Sequence, residues 1–201
     1  MKRYGEDLEE KKIERYAEII VAKKMGFDLS AIKKYEKGQV YMQGEYTGIA
    51  DIDKALKEAG GKPEKCKLWE KGGEGLGKAQ PEYIVTFDKY KDYVIVVECK
   101  SSVKMHESGN TDSPKGYAVD GVLYYAKFLK KYFNTIAIAF SGSSEDTFEM
   151  TCFLWPKQEN NPYYIPEGRI EFHEPEWYIK EAKRVYKEEQ INKEKYFNKK
   201  T

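Results

Sequence analysis

The apolar run Val94 to Val97 passes without a break into Glu98-Cys99-Lys100, and this junction constrains the fold more than any other part of the chain. A continuous apolar run of this length, rich in β-branched residues, suits a strand buried on both faces. An acid and a base at i and i+2 of a strand project from the same face. Tyr83 to Phe87 is equally rich in strand-forming residues, and Asp88 to Asp92 between the two runs reads as a turn, so the pair is expected to be a β-hairpin. In such a hairpin the start of one strand lies beside the end of the next, which brings Glu82 opposite Glu98.

The rest of the chain arranges itself around that hairpin. Ile13, Tyr16, Ala17, Ile20 and Val21 recur at helical spacing and predict an amphipathic helix over 11–25, ended by Gly26. Short helices are expected over 31–37, with Ser30 as N-cap, and over 51–59, stopped by Gly60-Gly61. Leu68-Trp69 reads as a short strand, and the glycine-rich Gly72 to Gly77 and the polar Ser101 to Gly116 read as loops. A helix over 117–132 should lead into a buried strand, Thr135 to Phe140, followed by a further strand, Phe148 to Trp155. A charged terminal helix is expected over 175–199. The order predicts an α/β (α+β) fold, a mixed sheet flanked by helices. Residues 1–66 form a helical flank of the same domain, 67–156 its core, and 157–201 an extension.

Composition excludes several function classes. The chain has 201 residues, enough for one domain with a real core. Its 35 Lys and Arg nearly cancel 34 Asp and Glu, giving a net charge of +1 and no global signal for nucleic acid. Cys66, Cys99 and Cys152 are odd in number and widely spaced, which argues against a disulfide framework and a zinc site and favours a reducing cytoplasm. The first ten residues are too polar for a signal peptide and no run is long enough to span a bilayer, so no membrane is expected. Gly72 to Lys78 satisfies the start of a Walker A pattern, but Ala79 stands where a hydroxyl is needed and a β-rich run follows where a helix should begin, which excludes ATP binding there.

The chemistry is carried by Glu82, Glu98 and Lys100. Charges at the rim of a core must pair, bind an ion, or both. Two facing carboxylates repel unless a proton or a cation lies between them, and a hard divalent cation with water ligands is the natural occupant. Phosphodiester hydrolysis uses such a set: carboxylates hold Mg²⁺, with Mn²⁺ as a substitute, and an ammonium positions or deprotonates the attacking water. The backbone carbonyl of Cys99 is a third candidate ligand. A bare E-x-K is also how a salt bridge at a strand end reads.

Pro81-Glu82 followed by Glu98-Cys99-Lys100 resembles the PD-(D/E)XK motif of restriction-endonuclease-like nucleases. The surrounding words, Gly77 to Val85 and Val94 to Lys100, then Lys104-Met105-His106, Tyr117 to Gly121 and Ile136 to Gly142, are similar to the nuclease domains at the N-termini of type IIG and type I restriction enzymes. The resemblance spans roughly Leu68 to Trp155. It implies an αβββαβ core, a Mg²⁺ requirement, DNA as substrate, and hence a restriction-type endonuclease. It also implies company, either as a homodimer or with methyltransferase, motor or specificity domains, so the chain reads equally as a free-standing nuclease or as part of a larger enzyme. The alternative reading is a nucleic-acid-binding module of nuclease fold that needs a partner for cleavage. Two departures stand out: Glu82 where Asp is more usual, and Asp120-Gly121-Val122-Leu123-Tyr124 where related enzymes often carry Q-x-x-x-Y. Asp120 is therefore an accessory candidate, as are Glu14 on the first helix and Lys104 and His106 past the motif, which are placed to contact phosphate. His173 has no second histidine at ligand spacing and reads as structural.

Overall fold

The computed structural model describes residues 15–27, 34–35, 37–73, 77–157, 159–169 and 171–198. Its centre is one seven-stranded sheet in the spatial order β1-β2-β3-β4-β5-β6-β7: Lys34–Tyr35, Gly38–Met42, Tyr83–Phe87, Tyr93–Lys100, Asn134–Gly142, Phe148–Trp155 and Tyr163–Tyr164. All neighbours are antiparallel except β4 and β5, which run parallel from Tyr93↔Asn134 to Lys100↔Ser141. A parallel pair needs a crossover, and α3 (Ala118–Leu129) supplies it. The other helices are α1 (described over 15–24), α2 (Ala50–Ala59) and α4 (Pro175–Asn198). None is long and apolar enough to cross a membrane among the described residues.

Strand alternation sorts the side chains into two cores. Tyr83, Val85, Ile95, Val97, Cys99, Ile136, Ile138 and Phe140 pack with α1 and α4 on one face. Ile84, Val94, Val96, Ala137 and Ala139 pack with α2 and α3 on the other. The small alanines of β5 lie under α3, where they let the helix sit close to the sheet. Because side chains alternate strictly, Glu82, Glu98 and Lys100 fall on the α2/α3 face while Cys99 between them goes into the α1/α4 core. The register Tyr83↔Val97 carried one step outward places Glu82 against Glu98, as the hairpin pattern predicts.

Several expectations need correction. Lys34–Tyr35 pair with β2 instead of continuing a helix over 31–37; residues 31–33, 36 and Ser30 lie outside the described residues. The strand β2 is absent from the sequence reading. It starts at Gly38, where an added Cβ would stand 1.9 Å from the Thr86 carbonyl oxygen, so only glycine lets the two strands meet there. Leu68 and Trp69 form a turn, with Trp69 81% exposed, and not a strand: neither pairs with any strand of the sheet. The predicted helices over 51–59, 117–132 and 175–199 and the strands after Tyr83 are present within a few residues of their expected ends. The cysteines Cys66, Cys99 and Cys152 are all buried free thiols.

Candidate active site

The site lies where β3 begins and β4 ends, beneath the first turn of α3. Glu98 is wholly buried, and Glu82 and Lys100 are each 8% exposed. Lys100 Nζ stands 3.2 Å from Glu98 Oε1. The same oxygen is paired with the ammonium of Lys62, which comes from the loop after α2 and lies 5.2 Å from the centre of the Tyr125 ring. Glu82 turns its carboxyl toward the end of β4, where Oε2 accepts from the Cys99 amide at 3.3 Å, and its own amide donates to the Val97 carbonyl at 3.1 Å. Three residues foreseen in the sequence are therefore brought together, and one that was not, Lys62, joins them.

The electrostatics follow from burial and from the unequal supply of cations. Burial is the largest influence on Glu82 and pushes its pKa well above the usual carboxyl range, with the charge of Glu98 acting in the same direction against weaker help from Lys62 and Lys100. Burial also works against ionisation of Glu98, but Lys62 and Lys100 outweigh it and hold its pKa below the ordinary value. Within the carboxyl pair a proton thus favours Glu82 over Glu98. The Cys99 thiol, on the other face, is pushed well up by burial and by the two carboxyls, so its sulfur stays protonated.

The donor set suits a hard divalent cation. Glu98 Oε2 is buried without a hydrogen-bond partner, and a buried carboxylate oxygen calls for a donor or a cation. Backbone groups of residues two apart in a strand point to the same edge. Since Val97 turns its carbonyl toward β3 and Cys99 its amide, the Cys99 carbonyl faces the same side as Glu82. Among the described residues no group of three or more His, Cys, Asp and Glu side chains converges. A cation here would rest on Glu82, Glu98, the Cys99 carbonyl and water.

The accessory candidates have other occupations. Asp120 is buried and accepts from the backbone amides of Ser108 at 3.2 Å and Ser113 at 2.8 Å and from the Ser108 hydroxyl, so it anchors the loop between β4 and α3. The helix residues that face the carboxyls are Gly121 and Tyr125, one position later than the sequence reading of Asp120 and Tyr124. A Cβ on Gly121 would lie 3.1 Å from Glu98 Cδ and 2.8 Å from the Pro114 carbonyl oxygen. Tyr125 is buried, and its phenol is kept neutral by burial and by Glu98 and Glu82, with the Gln80 amide at its oxygen. Tyr124 instead donates to the Ala59 carbonyl. His106 is buried with Nδ1 at 2.8 Å from Ser141 Oγ and Nε2 at 2.7 Å from Thr151 Oγ1, so both ring nitrogens tie the loop to β5 and β6 where the sequence suggested a phosphate contact. Lys104 is exposed on a single turn of 3₁₀ helix, Val103–Met105. Glu14 lies outside the described residues. His173 stacks on Trp177 at 3.6 Å, a structural role. Lys78, at the end of the Walker-like stretch, pairs with Asp53 at 2.7 Å.

Lys62 had no visible signal, because nothing local links it to a carboxylate 36 positions away. Gly121 and Tyr125 did have one: a glycine and an aromatic at i and i+4 share a helix face. No protein family, curated protein or solved structure matches the chain.

Proposed function

We propose that the protein is a Mg²⁺-dependent phosphodiester hydrolase acting on DNA, with Glu82 and Glu98 as metal ligands and Lys100 as the ammonium that orients the attacking water. The observation that carries this reading is the pair of facing buried carboxyls beside Lys100, with Glu98 Oε2 buried and without a hydrogen-bond partner. Such a pair is costly to bury and does not improve packing. Three antiparallel strands, a crossover helix and a parallel strand also agree with the αβββαβ order of the nucleases that the motif resembles, and DNA as substrate rests on that resemblance.

When bound, Mg²⁺ supplies a Lewis acid for the phosphate and a more acidic water. The chain's own residues divide the remaining work. Glu82 gives up its proton as it takes up a ligand position, Glu98 is already ionised, and the Cys99 carbonyl adds a neutral donor. Lys100, fixed in the sheet beside Ser141, holds an ammonium where charge develops on the phosphate oxygens.

The test is digestion of duplex plasmid DNA with Mg²⁺ by the parent protein and by Glu98→Ala and Lys100→Ala. The parent should cut, and each variant should lose at least about a hundredfold in rate, as expected for a group acting in the transition state. Equal cutting by all three, or no cutting by the parent with Mg²⁺ or Mn²⁺, overturns the assignment. A second reading, a nucleic-acid-binding module that cuts only with a partner, is favoured by the net charge of +1; salt-sensitive DNA binding without cleavage is its signature.

A further inference from the structure

Lys62 is left over from this account, yet it makes the closest contact that Glu98 has. Glu98 is 0% exposed with Lys62 in place, whereas a hydrolytic site must admit water, a phosphate and a cation. Lys62 follows Gly60, which caps α2 with φ 62°, and Gly61. Gly60 supplies a left-handed backbone that other residues adopt only under strain. The loop beyond is tied down: Lys65 Nζ bonds Asp112 and Ser113, each at 2.8 Å, and the Cys66 amide donates to the Asp112 carbonyl at 2.8 Å. The Lys62 ammonium therefore reaches inward from between a glycine pair and a fixed anchor. At Gly121, α3 presents backbone and no side chain to Glu98.

We infer that Lys62 is a resident counter-ion that closes the carboxylate pair in the metal-free protein and swings out on Gly60-Gly61 when a divalent cation binds beside Glu98. This rests on the metal-dependent reading above. The physical reason is competition: an ammonium on Oε1 and a divalent cation on Oε2 of the same buried carboxylate repel each other, and each offsets the repulsion between Glu82 and Glu98. With two lysines on Glu98 Oε1, Lys100 belongs to a strand held in the sheet and Lys62 to a loop, so Lys62 is the one that yields. Its displacement would uncover Glu98 and leave its ammonium at the mouth of the site, facing an incoming phosphate.

The test is calorimetric titration with Mn²⁺ of the parent, Lys62→Met and Lys62→Arg, with hydrogen exchange of the parent as a second readout. Lys62→Met keeps the aliphatic stem over Tyr125 but removes the competing charge. It should bind Mn²⁺ roughly tenfold more tightly, within the range expected for coupled sites, and Lys62→Arg should stay near the parent. In the parent, the amides of Gly61, Lys62 and Glu64 should exchange faster when Mn²⁺ is added, a result that does not depend on any variant folding. Unchanged or weaker binding by folded Lys62→Met, or an exchange rate at those three amides that Mn²⁺ does not raise, overturns the inference alone. Absence of Mn²⁺ binding by the parent overturns the function reading with it.

Discussion

Arg184 on α4 and Glu98 on β4 are each the hub of an ion cluster, and the contrast between them shows what burial does to the same chemistry. Arg184 has more partners: Glu167 at 2.7 Å, Glu181 at 2.8 Å and Glu188 at 2.8 Å. Its side chain is 39% exposed, so water and salt screen those contacts and hold the guanidinium charged whatever its neighbours do. Glu98 is paired with Lys62 and Lys100 and faces Glu82, with no exposure at all. There the charges govern one another: burial and Glu98 make Glu82 hold its proton more tightly than in water, while two ammoniums keep Glu98 ionised. The exposed cluster decorates a helix; the buried one sets protonation states.

Breaking each hub should separate them sharply. Glu98→Ala strands two ammoniums against a core and should lower the stability of the metal-free protein by about 3 kcal/mol, the low end of the cost of breaking a buried pair because Glu82 is relieved of a like charge. Chemical denaturation at neutral pH reads this directly, and a loss well below 1 kcal/mol would mean that the ammoniums reach water easily.

Glu82→Gln tests the shared proton. The folded-state pKa of Glu82 lies above its unfolded value, so its contribution to stability is fully present below the unfolded value and is lost as pH rises through the folded one. The metal-free parent should therefore lose stability across that interval, and Glu82→Gln, which cannot ionise, should lose less. Parallel curves of melting temperature against pH for the two proteins would place the proton elsewhere. The smallest effect belongs to the exposed hub: Arg184→Ala should change stability by no more than about 0.5 kcal/mol in moderate salt, and a larger change would mean that its aliphatic stem packs on the core.

The same contrast explains what could be read from the sequence. The Val94–Val97 run, the turn and the Tyr83–Phe87 run define the hairpin through local pattern, and the period of two then fixes which side chains share a face. Glu82, Glu98 and Lys100 were legible for that reason. Helix α3 was legible as a helix, but its phase was not. Asp120 and Gly121 are adjacent, and only the packing of Gly121 on Glu98 decides which of them meets the site and which holds the loop at Ser108 and Ser113. Strand β2 was not legible because its pairing depends on Gly38 meeting Thr86, a contact between distant segments. Lys62 is the extreme case: a lysine after two glycines reads as a solvated loop residue, and only the tertiary fold turns it toward a buried carboxylate.

The most direct test of the central claim, that Glu82 and Glu98 form a proton-sharing pair whose proton gives way to a metal, is calorimetric titration of the parent with Mg²⁺ in two buffers of different ionisation enthalpy, at a pH where Glu82 is still protonated. Metal ligands must be deprotonated to bind. The parent should release about one proton for each ion bound, and Glu82→Gln none. Binding without proton release, or no binding at all, would contradict that claim.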